Sequence, residues 1–214
     1  MGTDLIGLPN GALLTPDAAP GARLFFLDPH VPAAPELRLG NAVATALSPD
    51  GRTLLVLTSG YNLTLGERGR RVEEGSQEWV FVYDVSSGAP REVQTLSLPN
   101  AFGGLAWSPR GDRFWVSGGT DDMVHEFARG PEGWKRGAAI ALGHIDEHRR
   151  GGRGLDVGPW AAWIAPNASG TLLAVANQMN DSLSIVDATR GQKLREIPLW
   201  PGGGKRGGAY PFDV

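Results

Sequence analysis

The feature that most constrains the fold is one turn between two apolar segments that occurs three times. When the copies are aligned on Gly51, Gly111 and Gly170, an alanine lies five residues before each glycine and a valine five residues after it. The glycines are 60 and 59 residues apart. This regularity predicts a chain built from copies of one unit. The copies occupy residues 44–57, 104–116 and 163–175.

Each unit is predicted to contain four short antiparallel strands. The first turn reads Ser-Pro-Asp-Gly at 48–51, where proline presets φ, aspartate can cap the backbone and glycine accepts a positive φ. Four antiparallel strands per unit, repeated radially, describe a β-propeller blade, whereas the repeats of a β-helix are shorter. The predicted fold class is therefore all-β, a β-propeller of four-stranded antiparallel blades. Third strands are predicted at 79–83, 123–127 and 182–186, and fourth strands at 93–98, 137–142 and 194–199.

The repeat also sets the expected organisation of the 214 residues. Residues 1–41 form an N-terminal extension with at most one strand, at 23–27, and residues 42–214 form a partial propeller. Propellers usually need four to eight blades to close. We therefore expect a fragment of a larger propeller, and the alternative is closure with partner chains. The blades are placed at about 42–100, 101–143 and 160–200, with the start of the next at 209–214.

Composition excludes several other classes of protein. The 31 glycines and 16 prolines leave few uninterrupted windows for helices. The absence of cysteine excludes a disulfide-stapled scaffold and a thiolate metal site. A net charge of −3 disfavours a nucleic-acid partner. No apolar run of the roughly 18 residues that a membrane span needs is present, and no signal peptide is visible.

The repeat resembles the YVTN/YncE-type propeller family. That family's consensus combines the Ser-Pro-Asp-Gly turn with a strand, an Asn-rich turn and V-x-V-x-D-x-x-x-G, and residues 176–187 match it most closely. Residues 45–62, 80–84, 117–125 and 210–212 resemble more closely the N-terminal propeller of bacterial bifunctional proteins. Those proteins join a YncE-like propeller to an alkaline-phosphatase-type phosphoesterase domain. The resemblance covers roughly residues 8–214.

The second unit departs from the family pattern at two turn positions. Ala128 stands where the other units have Asp84 and Asp187, and Arg110 replaces Asp50. These departures affect only the turns of that blade.

The resemblance implies that a catalytic phosphoesterase domain lies beyond Val214 and that this domain holds the metal ions. No catalytic residue can be carried over to this chain, and no metal or other cofactor is expected in it. The implied location is periplasmic or secreted. Expected partners are the remaining blades, a C-terminal phosphoesterase domain and an unidentified small molecule or protein, but neither nucleic acid nor a membrane span.

Strand parity places the long loops on one rim of the propeller. Residues 60–78, 143–159 and 201–208 all fall there, while the short turns fall on the opposite rim. Long loops in compact domains are often functional, although ordinary loop variability explains them equally well. This rim is the predicted ligand-binding surface. Its candidate residues are Tyr61, Asn62, Asp122, His144, Asp146, His148, Arg150, Arg153, Asp181, Lys205 and Arg206.

The polar cluster at 144–153 is the sharpest of these features. His144, Asp146 and His148 would offer nitrogen and oxygen ligands to a metal, but their spacing is not that of H-E-x-x-H on a helix. A solvated loop is the simpler interpretation, so no metal site is predicted. Arg150 and Arg153 could bind a phosphate in bidentate fashion.

Two further features have plain structural interpretations beside the functional ones. Asp122 and Asp181 each lie eleven residues after a turn glycine, which suggests a turn cap or a ring of carboxylates that could hold a cation. Lys205 and Arg206 lie in a glycine-rich link that lacks the Walker pattern.

Three functional hypotheses follow. The first is a non-catalytic propeller segment that binds a ligand or partner or serves as a scaffold. The second is part of a phosphoesterase whose catalytic domain lies beyond Val214. The third is a propeller lactonase-type hydrolase in which rim acids and His144 bind a metal. The sequence has no G-x-S-x-G motif and no selectable catalytic set, so it does not decide whether the protein is an enzyme.

Overall fold

The repeated units fold into three four-stranded antiparallel sheets. The computed structural model describes residues 6–7, 11, 13–14, 26–60, 63–144, 160–199 and 210–214. Each sheet keeps its strands in chain order, so every connection within a sheet is a hairpin. The all-β class and the four-stranded units are as predicted. Within the described residues, no helix is long and apolar enough to cross a membrane.

The strands are as follows. A short pair, β1 (Ile6–Gly7) and β2 (Leu13–Leu14), precedes the sheets. The first sheet consists of β3 (Ala42–Leu47), β4 (Thr53–Thr58), β5 (Glu78–Asp84) and β6 (Arg91–Leu98). The second consists of β7 (Leu105–Trp107), β8 (Arg113–Ser117), β9 (Met123–Gly130) and β10 (Gly133–Ala141). The third consists of β11 (Ala161–Pro166), β12 (Leu172–Asn177), β13 (Ser182–Asp187) and β14 (Gln192–Pro198). Two 3-10 turns, Glu67–Gly69 and Glu73–Gly75, lie between β4 and β5.

The sheets pack face to face in the order of the chain. The first strands β3, β7 and β11 lie side by side at one edge, and the fourth strands β6, β10 and β14 at the other. An apolar core fills the space between the first and second sheets, and a second core lies between the second and third. The first core is rich in aromatic rings from the second sheet, namely Trp107, Phe114, Phe127 and Trp134.

The repeated glycines set the spacing between neighbouring sheets. Gly111 and Gly170 both have a φ of +68°, which glycine tolerates best. A β-carbon at Gly111 would lie 3.4 Å from Cδ of Pro49, and one at Gly170 would lie 2.8 Å from Cδ of Pro109. Gly170 therefore leaves the space that the Pro109 ring occupies, whereas a β-carbon at Gly111 would make an ordinary van der Waals contact with Pro49.

Residues 26–41 cover the outer face of the first sheet. Val31 is buried there with Trp79 and Phe81, and Leu27 pairs with Leu39 through an isolated bridge. The sequence indicated at most one strand in the first 41 residues. The structure instead has the two-residue strands β1 and β2 and this bridge, while residues 23–25 of the indicated strand lie outside the described residues.

The second sheet differs from the predicted boundaries for a physical reason. Its last hairpin continues to the pair Gly130–Gly133, so β10 begins before the predicted residue 137. In the other sheets Asp84 and Asp187 accept backbone N–H groups and end the ladder in a turn. Ala128 cannot do so, and the ladder therefore continues.

Candidate functional site

The predicted functional rim is the edge at which β4, β8 and β12 end, and we call it the upper rim. It comprises the β4–β5, β8–β9 and β12–β13 connections and the links between sheets. Asp122, His144 and Asp181 lie on it in the described structure. The other eight candidates lie outside the described residues: Tyr61, Asn62, Asp146, His148, Arg150, Arg153, Lys205 and Arg206.

His144 lies between two carboxylates at the junction of the second and third sheets. Its Nδ1 is 2.7 Å from Oδ1 of Asp122, and its Nε2 is 2.6 Å from Oε2 of Glu196. Only 9% of the His144 side chain and 3% of the Asp122 side chain are exposed. Both ring nitrogens are therefore engaged, and a protonated ring donates to both acids.

Glu196 is the centre of a wider polar network. Its Oε1 accepts hydrogen bonds from Ser182 Oγ at 2.5 Å and from Asn180 Nδ2 at 2.6 Å. Lys193 Nζ lies 2.8 Å from its Oε2. Neither Glu196 nor Lys193 was predicted from the sequence, because both lie on an outer strand far along the chain from His144. The one sequence signal for this site was that Glu196 places a carboxylate on the strand face that packs against the second sheet.

The network shifts two pKa values. Burial alone would lower the pKa of His144, but hydrogen bonds and charge from Asp122 and Glu196 outweigh burial and raise it. Burial would likewise raise the pKa of Glu196. The hydrogen bonds from Lys193, Ser182 and His144 outweigh that effect and lower the pKa to about 2. The arrangement, an imidazole held between two carboxylates, favours the protonated form of the His144 ring.

Asp122 and Asp181 occupy equivalent positions and act in the same way on the backbone. Both have a positive φ, of 56° and 49°. Their carbonyl groups accept the N–H groups of Leu142 and Leu199 at the ends of the outer strands. Their carboxylates accept the N–H groups of the outgoing links: Asp122 accepts that of His144 at 2.5 Å, and Asp181 accepts that of Tyr210 at 2.7 Å.

The two aspartates thus hold the links between sheets against the strands that precede them. Within the described ranges, no group of three or more His, Asp or Glu side chains is arranged to hold a metal ion.

A cavity of about 260 Å³ opens on the same rim where the three sheets meet. Phe102 and Trp160 form its aromatic side, with ring centroids 5.4 Å apart. The indole Nε1 of Trp160 is buried and has no hydrogen-bond partner within the part of the chain that the structure describes. Glu78, 3% exposed, and Asn100 lie on the polar side. Ser59 and Thr120 also line the cavity.

One acid lines the polar side of this cavity, and a second is bonded to a lining residue. Glu78 Oε2 accepts a hydrogen bond from Thr58 Oγ1 at 2.8 Å. Asn100 Nδ2 donates to Asp121 Oδ1 at 2.6 Å, and burial raises the pKa of that aspartate. The Ser59 hydroxyl donates to the Ala101 carbonyl at 2.7 Å and so is oriented by the backbone, not by a base. The cavity therefore combines an aromatic side, formed by Phe102 and Trp160, with a polar side that includes the buried Glu78.

Comparisons with known proteins identify the fold. No family model matches the chain, and no curated protein matches it. A solved protein from Lactobacillus plantarum is similar over 91% of this chain and 50% of its own length, with 17% identity and a TM-score of 0.54. Kuenenia stuttgartiensis hydrazine synthase is similar over 74% of this chain and 36% of its own length, with 17% identity and a TM-score of 0.52.

The WD40 repeats of RRP9 are similar over 74% of this chain and 38% of their own chain, with 10% identity and a TM-score of 0.51. The chain therefore spans half or less of the length of these structures. At such low identity the likenesses show the fold alone. Together with the three stacked four-stranded sheets, they confirm that the chain has a β-propeller fold with WD40-like repeats.

Proposed function

We propose that the chain is a non-catalytic, YncE-like β-propeller segment whose upper rim binds a ligand. The observation that carries this proposal is the 260 Å³ cavity on that rim, whose lining includes Trp160, a residue whose Nε1 has no hydrogen-bond partner among the described residues. A buried donor without a partner costs about 1–3 kcal/mol, so a ligand that supplies an acceptor recovers that free energy. Function is thereby assigned to the rim that carries the long connections.

The lining indicates the chemistry of the ligand. An acceptor atom would bind Trp160 Nε1, and an apolar or aromatic face would pack on Phe102. Donor groups would meet the acidic side near Glu78 and Asp121. A small ring that bears both hydroxyl or amine donors and a carbonyl acceptor has this combination.

The indole resonances provide the test. A library of small hydroxylated and aminated ring compounds is titrated into the protein, and the Trp160 Nε1–H signal is followed by heteronuclear NMR. Trp79 supplies an internal control, since its Nε1 is also buried without a partner among the described residues, but this tryptophan packs under residues 26–41. A binder at the proposed site moves the Trp160 signal, leaves the Trp79 signal in place, and loses affinity in W160F but not in W79F.

If no compound moves the Trp160 signal, or if W79F and W160F weaken binding equally, the proposal fails. Two alternatives predict turnover instead of binding alone. A phosphoesterase or a lactonase function for the complete protein would appear as hydrolysis of p-nitrophenyl phosphate or of a lactone. For the lactonase, a divalent cation should also raise the melting temperature in a manner that H144Q abolishes.

We also propose that further blades, in the periplasm or outside the cell, complete the propeller. Leu172 and Leu194 on the third sheet are 37% and 55% exposed, whereas the core positions of the two described interfaces are buried. The test compares this three-sheet chain with a longer version of the same reading frame. If the three-sheet chain alone is monomeric and melts at the same temperature as the longer version, the proposal is wrong.

A further inference from the structure

A larger concavity lies at the opposite edge of the sheets, which we call the lower rim. It is a groove of about 650 Å³ between the turns of the first sheet and the last hairpin of the second. Its volume falls within the range of small-molecule sites. Its lining includes three arginines, two aspartates and one tryptophan: Arg52, Arg91, Arg129, Asp50, Asp84 and Trp134.

The two aspartates are already bound within their own turns. Asp84 accepts hydrogen bonds from the Ser86 N–H at 3.0 Å, the Ser86 hydroxyl at 2.6 Å and Arg91 Nη2 at 2.9 Å. Asp50 accepts hydrogen bonds from the Ser48 hydroxyl at 2.6 Å and the Arg52 N–H at 3.1 Å. These carboxylates therefore serve the turns and take up one of the three guanidinium groups.

The other two guanidinium groups come from different sheets and face the same groove. Among the described residues, neither Arg52 nor Arg129 forms an ion pair with a carboxylate, and both side chains are exposed. The Arg129 guanidinium carbon lies 6.0 Å from the ring centroid of Trp134, which gives the side chain a surface to rest on. Guanidinium groups match the geometry of phosphate and carboxylate oxygens.

The groove is held in shape by a contact between the sheets. The Trp134 N–H donates to Oε1 of Gln94 at 2.8 Å, and Nε2 of Gln94 donates to the Trp134 carbonyl at 2.8 Å. A β-carbon at Gly133 would lie 2.6 Å from the same Gln94 oxygen. Because the contact is bidentate and closely packed, the two walls keep a fixed separation before any ligand arrives.

We propose that this groove is an anion site for a small polar molecule that carries a phosphate monoester or two carboxylates. Arg52 and Arg129 bind the anionic end from opposite walls, and hydroxyl groups of the ligand meet the polar turns. The site is separate from the upper-rim cavity, so either proposal can fail without the other.

Calorimetric titration with glycerol 3-phosphate, succinate and glycerol tests the site. The variant R52Q/R129Q removes the two facing charges, and R190Q/R195Q removes two exposed charges from the third sheet as a matched control. We expect saturable binding of at least one anion by the native chain and the control, but not of glycerol. Affinity should fall at least about tenfold in R52Q/R129Q, equivalent to about 1.4 kcal/mol.

The pattern of binding also identifies the ligand class. Binding of glycerol 3-phosphate alone assigns a phosphate ester, and binding of succinate alone assigns a dicarboxylate. Absence of saturable binding of either anion would overturn the proposal. Equal loss in both double variants would do the same, because it would show a general charge effect and not a site.

Discussion

Nε2 of His144 lies 2.6 Å from Oε2 of Glu196, and this contact joins the link after the second sheet to the outer strand of the third. The two residues are 52 positions apart in the chain. Because the partners belong to different sheets, the contact holds the stack together instead of stabilising either sheet alone. Its removal should therefore affect the stability of the whole array.

We expect E196Q to lower the free energy of unfolding by about 1–3 kcal/mol, since the charge-assisted hydrogen bonds of the Glu196 carboxylate with His144 and Lys193 are weakened. Urea denaturation followed by tryptophan fluorescence measures the change. The control is E132Q, which breaks the exposed Glu132–Lys135 pair and should change stability little. Equal effects of the two variants would contradict a special role for the His144 contact.

Stability should depend on pH through His144. Its pKa is raised in the folded protein, so the protonated ring stabilises the fold fully below the unfolded-state value of about 6.5. This contribution is lost as the pH rises through the higher folded-state pKa. The melting temperature of H144Q should not show the decrease that this loss causes as the pH rises. NMR titration of the His144 ring should show a pKa above the ordinary value.

His125 should show the opposite dependence. Burial lowers its pKa to about 4, with a further contribution from Arg136, and its Nε2 is buried with no hydrogen-bond partner in the described ranges. The neutral ring therefore contributes stability above about pH 6.5, and this contribution is lost as the pH falls from there through the folded-state value of about 4. A normal pKa for the His125 ring in an NMR titration would refute its burial.

The two turn glycines Gly51 and Gly170 allow backbone strain to be separated from crowding. A β-carbon at Gly51 would meet nothing within 4 Å, whereas one at Gly170 would lie 2.8 Å from Cδ of Pro109. Both alanine variants should lose about 1–2 kcal/mol from the positive φ. G170A should lose more, and P109A should restore part of that excess. Additive effects of G170A and P109A in a double-mutant cycle would exclude the contact.

Gln94 should stabilise the junction between the first and second sheets. Q94A leaves the Trp134 N–H and carbonyl without their partner, which we expect to cost about 1–3 kcal/mol. Hydrogen exchange of the Trp134 amide should become faster. The exposed Gln192 supplies a control, Q192A, which should leave that amide unchanged. Slow exchange in Q94A would mean that the main-chain groups find other partners.

The blades were predictable because their signal is local and repeated. Turn chemistry at 48–51 and its copies, together with alternating apolar residues, is enough to place four strands per unit. The second and third units keep a side-chain hydrogen bond within the turn even where their sequences depart from Ser-Pro-Asp-Gly. In the second unit Ser108 Oγ bonds to Asp112 instead of to residue 110, and in the third unit Asn167 caps the turn with its own side chain.

The candidate site was only partly predictable because its contacts cross between sheets. The position of Asp122 could be inferred from its match with Asp181. Its partnership with His144, and the place of Glu196 beyond that ring, depend on how two sheets pack, which no local pattern encodes. The lower-rim groove was missed for the same reason, since Arg52 and Arg129 are 77 residues apart in the sequence.

The fit of Gly170 to the turn proline of the preceding unit makes the units non-interchangeable. Gly111 and Gly170 both have a positive φ, but only Gly170 is constrained a second time, by the ring of Pro109. The third unit has Ala168 at the proline position, so a unit placed after it would escape the second constraint. Duplication or shuffling of units in the gene would therefore be tolerated in some orders and not in others.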